Sequence, residues 1–151
     1  MSTIVEAAPQ LIASATLHVD TPGVGFIDIT ENAVSFVNQV NAGEGILLAY
    51  LRHTSASLTT QENADPDVQT DLIAALDRLA PEDAPWTHDV EGPDDMPAHV
   101  KAMLNGVSLQ VPVVAGKLAL GTWQGIYVVE HRRRPHRREV ILQFIGSRKA
   151  T

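Results

Sequence analysis

The sequence predicts an α+β fold, a sheet-rich body with two or three helices gathered on one side. Two patterns and one absence lead there. Segments of strand character stand at both ends of the chain, and segments with helical spacing lie between them. No internal repeat, low-complexity linker or shift in composition divides the 151 residues. One domain over 1–151 is expected, long enough to bury a core of its own. The sheet should be sandwich-like, or a bifurcated mixed sheet.

Each element follows in order. Over Leu11–Asp20 the residues Leu11, Ala13, Ala15, Leu17 and Val19 share one face and Ile12, Ser14, Thr16, His18 and Asp20 the other, a half-buried strand. "GVGFIDIT" gives a turn and a short strand. Thr30 is placed to cap a helix whose Ala33, Phe36, Val37 and Val40 recur at helical spacing, and "NAGEG" stops it. "ILLAYLRH" is continuously apolar up to Arg52, the pattern of a central strand buried on both faces. A polar crossing follows, from His53 to Asp65. Asp65 then suits an N-cap and Pro66 the first helical position, with Val68, Leu72, Ile73, Leu76 and Leu79 as the buried face before Pro81. "PEDAPWTHDVEGPDD" has no period and is predicted as a loop. A helix from about Asp95 to Asn105 stops at Gly106, and "VSLQVPVV", "KLAL", "GIYVVEH" and "EVILQFIG" complete the strands, with Pro112 at an edge or bulge.

Composition excludes several roles. Apolar residues make up 44 % and charged residues 19 %, a globular balance rather than a disordered one. No apolar run approaches the roughly 20 residues of a membrane span. "MSTIVEAAPQ" lacks a basic start and carries Glu6 where a secretory signal would be apolar, so a soluble, cytoplasmic protein is expected. With no cysteine there is neither a disulfide nor a thiolate metal site. The net charge of −7 hides an asymmetry: Arg132, Arg133, Arg134, Arg137 and Arg138 cluster in one short segment, while six other basic residues face eighteen acidic ones. A nucleic-acid partner is therefore not expected; a small anion remains a fitting ligand for the cluster.

Four features are candidates for chemistry. His53 ends a strand expected to be buried, and the stretch to Asp65 includes Glu62 and Asn63 beside a helix start. A solvated loop with a helix cap accounts for Asp65 alone, less well for His53. His53, His88 and His99 form a second group; their separations match no local zinc motif, so spacing alone supports a shared site weakly. His99 falls in the first turn of a helix, where the dipole disfavours imidazolium and suits a neutral ligand or base. In "LGTWQG", Gly121 and Gly125 bracket Thr122, Trp123 and Gln124; a tight strand connection with Trp123 plugging the core is the simpler reading. In the arginine turn, Arg132 to Arg134 fit a solvated hairpin tip. Arg137 and Arg138 adjoin a strand, and a guanidinium fork there suits phosphate.

"HTSASLTTQENADPDV", "EGPDDMPAHVKAMLNG", "GKLALGTWQGIYVVEHR" and "RPHRREVILQFIG" occur together, in order. From about Asp28 to Gly146 the chain resembles the YjbQ family, whose members are catalogued as secondary thiamine-phosphate synthases. The resemblance implies a compact α+β fold assembled as a homotrimer. It also implies a polar site with His53, Glu62, His88 and His99, Asn63 and Asp65 beside them, the Gly-Thr-Trp-Gln signature on Gly121 to Gln124, and the family's glutamate on Glu130. Where the family commonly has Ile-Asn-Glu-Asn this chain has Thr60-Gln61-Glu62-Asn63, which keeps the glutamate.

Three functions are consistent with those residues. The resemblance implies a transferase that joins an aminopyrimidine methyl diphosphate to a thiazole phosphate and releases pyrophosphate. His53, Glu62 and Asn63 would serve catalysis, and Glu62 and Asp65 would hold magnesium. Arg137 or Arg138 would bind phosphate and Trp123 would stack on the pyrimidine, with Thr54 and Gln124 also on the substrate. The second is a hydrolase or lyase of a small phosphorylated metabolite, in which His53, His88 and His99 bind a transition metal such as zinc and Glu62 is the base. The third is a trimeric protein that binds such a metabolite without turning it over.

Overall fold

A computed structural model of the chain describes residues 4–149. The ends of the expected domain, residues 1–3 and 150–151, lie outside the described residues. Among the described residues eight strands and three helices occur in the order β1 (Leu11–Thr21), β2 (Gly25–Asp28), α1 (Thr30–Gln39), β3 (Ala42–Leu51), β4 (Ala56–Glu62), α2 (Pro66–Leu79), α3 (Asp95–Asn105), β5 (Ser108–Val114), β6 (Lys117–Leu118), β7 (Gln124–Glu130) and β8 (His136–Arg148). The fold is α+β, as the sequence predicts.

The strands form two sheets with every pairing antiparallel: a five-stranded sheet in the order β1-β8-β3-β5-β6, and a three-stranded sheet in the order β2-β7-β4. The core gathers alternate residues of both sheets: Leu47, Ala49 and Leu51 of β3, Val140, Leu142 and Phe144 of β8, Ala56 and Leu58 of β4, Ile126 and Val128 of β7. Ala33, Phe36 and Val37 of α1 join that core, whereas α2 and α3 lie on the outer side of the smaller sheet.

Gly45 of β3 faces Gly146 of β8 where the ladder is irregular, and neither position has room for a side chain. A Cβ on Gly45 would lie 2.3 Å from the Ile145 carbonyl oxygen, and one on Gly146 would lie 2.2 Å from that of Glu44. The Phe144 ring covers both glycines. Pro112 sits inside β5, opposite Ile46, yet it breaks no ladder bond to β3. Its carbonyl accepts from Ala119 on the β6 side, and the N and C=O of one strand residue point the same way, so its missing donor faces the nearly unpaired edge.

Several expectations are corrected. The stretch after His53 is not merely a crossing: residues 56–62 form β4, because Ala56 and Leu58 alternate into the core while Ser57 faces α3 and accepts from Asn105. Thr30 is the first helical residue rather than a cap; Asp28 accepts from its N–H at 2.8 Å, and its own hydroxyl accepts from Ile126 N–H at 2.8 Å. β3 is central but buried on one face only, with Ile46 36 % and Tyr50 47 % exposed on the other. Of the α2 face, Val68, Leu72, Ile73 and Leu76 are half-buried and Leu79 is exposed. Asp65 does cap α2, accepting from Asp67 N–H at 2.9 Å.

Candidate functional site

Asp95, the first residue of α3, is 1 % exposed. A carboxylate that deep needs partners on both oxygens. Arg132 donates to Oδ1, and its Nε donates to Asp94 at 3.2 Å. On Oδ2, His88 Nε2 lies at 2.8 Å and His99 Nε2 at 3.4 Å. One helical turn separates Asp95 from His99, so both project from one face of α3, and the loop before the helix returns His88 beside them. The imidazole centroids are 5.7 Å apart. One ligand atom from each of His88, Asp95 and His99 lies within 4.8 Å of the others, the one such triad among the described residues.

The proton inventory makes this triad fit a cation. Thr54 O lies 2.9 Å from His99 Nδ1 and can only accept, so Nδ1 carries the hydrogen. In the neutral ring that turns the Nε2 lone pair on the Asp95 carboxylate, two acceptors face to face at 3.4 Å. A proton or a metal must lie between them. About 3.3 Å separates two ligand atoms of a tetrahedral zinc site with bonds near 2.0 Å, so the spacing suits a metal. An imidazole fixed through Nδ1–H to a carbonyl is the usual support for an Nε2 ligand.

A groove of about 650 Å³, within the range that holds a small metabolite, adjoins the triad between the end of β3 and α3. His53, Thr54 and His99 line it, with Tyr50, Ala102, Met103 and Val107 on its apolar side. His53 is not a member of the triad. Its Nε2 accepts from the backbone N–H of Glu139 at 2.9 Å, which leaves only Nδ1 for a ligand. Burial, and then the Arg138 charge, push the His53 pKa down, so it stands as a neutral ring. The expected set of His53, His88 and His99 thus becomes His88, Asp95 and His99.

The other candidates are placed elsewhere. Glu62, paired with Gln124, is at the far end of β4 from Ala56, about 20 Å along the strand. Asn63 N–H donates to Trp123 O at 3.1 Å, and the Asn63 amide approaches Thr122 O at 3.5 Å. Gln124 Oε1 accepts from Gly121 N–H at 2.8 Å. Trp123 is 64 % exposed, so it plugs no core. Within one chain, then, Glu62, Asn63, Trp123 and Gln124 form a cluster of their own, and Glu62 does not join the histidines as the resemblance implies.

The arginines divide against expectation. Arg132 is no solvated tip residue: it is 8 % exposed and bonds Asp94, Asp95 and the Glu91 carbonyl. Arg138 has its fork closed on fully buried Glu130, at 2.7 and 2.6 Å, with Ser55 on the same Nη2. That leaves no free fork for phosphate. Burial alone would raise the Glu130 carboxyl, but Arg138, the Arg132 N–H and Thr21 outweigh it and hold it below its usual range. Arg137 points the other way on the strand, exposed and 3.9 Å from Asp20. Next door, burial, reinforced by Lys101, pushes His131 down to about 4; its Nε2 meets the Ser57 hydroxyl at 2.9 Å. Asp95 and Arg132 join the two histidines in one bonded cluster, and neither is among the candidates that the sequence suggests. The Asp95–His99 spacing was the available signal.

The chain is similar to known proteins along most of its length. The model of the family described as UPF0047 protein YjbQ-like matches residues 15–147. UPF0047 protein sll1880 of Synechocystis is 45 % identical, covering 87 % of this chain and 90 % of its own, and UPF0047 protein YjbQ of Escherichia coli O157:H7 is 40 % identical, covering 87 % and 96 %. A crystal structure of hypothetical protein APE1520 from Aeropyrum pernix superposes with a TM-score of 0.83 at 29 % identity, covering 89 % of this chain and 99 % of that one. One from Clostridium acetobutylicum, described as an uncharacterised conserved YjbQ/UPF0047 family protein, gives 0.76 at 38 % identity, covering 87 % and 98 %. With a family model that takes in all three helices and every residue of the triad, the chain belongs to the YjbQ-like UPF0047 family.

Proposed function

We propose that the protein is an enzyme of small phosphorylated metabolites, a hydrolase or lyase, with a divalent transition metal held by His88, Asp95 and His99. The observation that carries this reading is the His99 ring, fixed by Thr54 so that Nε2 faces the Asp95 carboxylate. Two imidazoles and one carboxylate suit zinc, iron or nickel better than magnesium, which prefers oxygen. Bound there, such a metal supplies a Lewis acid for a phosphoryl or carbonyl oxygen and lowers the pKa of bound water. Arg132 holds the Asp95 carboxylate in place, and Thr54 holds the His99 tautomer. Neutral His53, with Nε2 taken by the Glu139 N–H, presents Nδ1–H in the groove as a hydrogen-bond donor to a substrate oxygen. The thiamine-phosphate synthase activity implied by resemblance remains compatible as a secondary reaction, because a metal also neutralises a departing pyrophosphate. It finds less support, since Arg138 is committed to Glu130.

We also propose a homotrimer. The five-stranded sheet leaves one face bare, where Ile12, Ile145 and Ile46 stand in one row and Ile141 and Tyr50 two rows on, beyond Ser14, Gln143 and Leu48. Exposures of 69 % for Ile12 and 47 % for Tyr50 call for a cover. Among the described residues no helix is long and apolar enough to cross a membrane.

Metal analysis of tag-free protein tests the central reading. About one zinc, iron or nickel per chain is expected, lost in His99→Ala and in Asp95→Asn. Protein that takes up none of these at micromolar concentration would reduce the triad to a clamp on α3. Metal retained without turnover of any phosphorylated compound would leave binding without catalysis.

A further inference from the structure

We infer that the working site is shared between copies of this chain: the Trp123 turn of one copy seats in the groove beside His99 of a neighbour. Glu62, Asn63 and Gln124 of the first copy then stand at the metal centre of the second. The inference rests on reading His88, Asp95 and His99 as that centre.

The starting point is a separation. One chain puts its polar residues at two ends of the β4–β7 ladder, about 20 Å apart, too far to meet at one small substrate. The Trp123 end has the build of an anchor. Its indole is 64 % exposed, yet the turn beneath it is fixed: Gly121 N–H donates to Gln124 Oε1 at 2.8 Å, Gln124 N–H to Gly121 O at 3.0 Å, and Asn63 N–H to Trp123 O at 3.1 Å. A large aromatic carried on a turn that is already fixed gives up no turn freedom on docking, which favours it as an interface anchor.

The groove has the matching character. Tyr50, Met103 and Val107 give it an apolar wall, His53 and His99 its polar end. It opens onto the bare sheet face through Tyr50, so a neighbour covering that face also reaches the groove. Charge agrees: residues 53–77 contain no Lys or Arg and include Glu62, Asp65 and Asp67. At the groove, Arg52 gives one N–H to Glu139 and keeps the rest of its fork in solvent. Because turn and groove are different patches, the contact is head-to-tail, and head-to-tail contacts of suitable rotation close into rings. A trimer is such a ring.

Trp86→Phe leaves Trp123 as the sole indole, and light scattering and emission are followed together. Emission shifted to the blue in the assembly and released to that of a water-exposed indole on dilution is the expected result. Met103→Arg, on a residue 79 % exposed in the single chain, should release the indole and weaken association more than about tenfold; Trp123→Ala should weaken it likewise. In a mixed assembly, chains with His88→Ala and His99→Ala keep Trp123 and chains with Trp123→Phe keep the metal centre. Cobalt(II) should quench the indole only after mixing. Monomers at micromolar concentration, a water-exposed emission in the assembly, or emission indifferent to Met103→Arg would each overturn the inference. If cobalt(II) fails to bind the unmutated centre by calorimetry, the metal reading fails, and emission and mass still decide the docking.

Discussion

The two ends of the β4–β7 ladder are built on opposite principles. At the Ala56–Glu130 end, charges are buried and closed on one another: Glu130 on Arg138, Asp95 on Arg132, with His131 neutral against Ser57. At the Glu62–Gln124 end, polar groups bond mainly through the backbone, and the side chains of Asn63 and Trp123 stay in solvent. One end spends its side chains on holding itself in place; the other holds its backbone and keeps side chains free. Substitutions should therefore cost stability at the first end and binding at the second.

The largest expected effect is at Glu130. Glu130→Ala strips the carboxylate from Arg138, whose side chain is 4 % exposed, and should cost about 3–5 kcal/mol in urea unfolding. Replacing the pair together, Glu130→Leu with Arg138→Met, should recover much of that loss. An equally small effect at Glu130 and Glu62 would erase the contrast between the ends.

Acid should break the same end. His131 titrates at 6.5 unfolded and at about 4 folded, so between those values the unfolded chain binds the additional proton and falling pH favours unfolding. Its contribution, about 3 kcal/mol, is complete above 6.5 and lost as pH drops toward 4. Glu130, held below its ordinary range, adds a loss of the same sign at still lower pH. Urea midpoints at pH 7 and pH 5 should separate clearly, and less so in His131→Gln.

Smaller effects belong to the open end. Asp65→Ala should cost about 1 kcal/mol of stability and Asp65→Asn much less, because either oxygen can cap α2. Smallest of all, Glu62→Gln should leave the urea midpoint within about 0.5 kcal/mol of the parent. If the shared site holds, its turnover of a phosphorylated substrate should nonetheless drop.

What the sequence disclosed follows the same division. Regular elements are legible: β1 and α1 from spacing, α2 from its Asp65-Pro66 start and α3 from its Gly106 stop. β4 was hidden because its apolar residues are few and its polar face meets α3 rather than water. Arg132 looked like a hairpin tip since nothing local marks a charge that pairs with a helix start some forty residues earlier. His53 ends a strand, as its place after the apolar run implies, but its Nε2 goes to a backbone N–H of β8, a partner no spacing rule supplies. Side-chain pairing between distant segments sets the site, and periodicity does not encode it.

The place of β8 in the larger sheet governs when this fold can form. β8 is last in the chain, yet it lies between β1 and β3 and pairs with both along nearly its whole length. Until residues 136–148 leave the ribosome, β1 has no neighbour in its sheet and Gly45 has no Gly146 to meet. The first strand must wait until the eighth has been made, and closure over so long a loop is slow. During that interval the nascent chain, with its isoleucine face unpaired, is an expected client for chaperones.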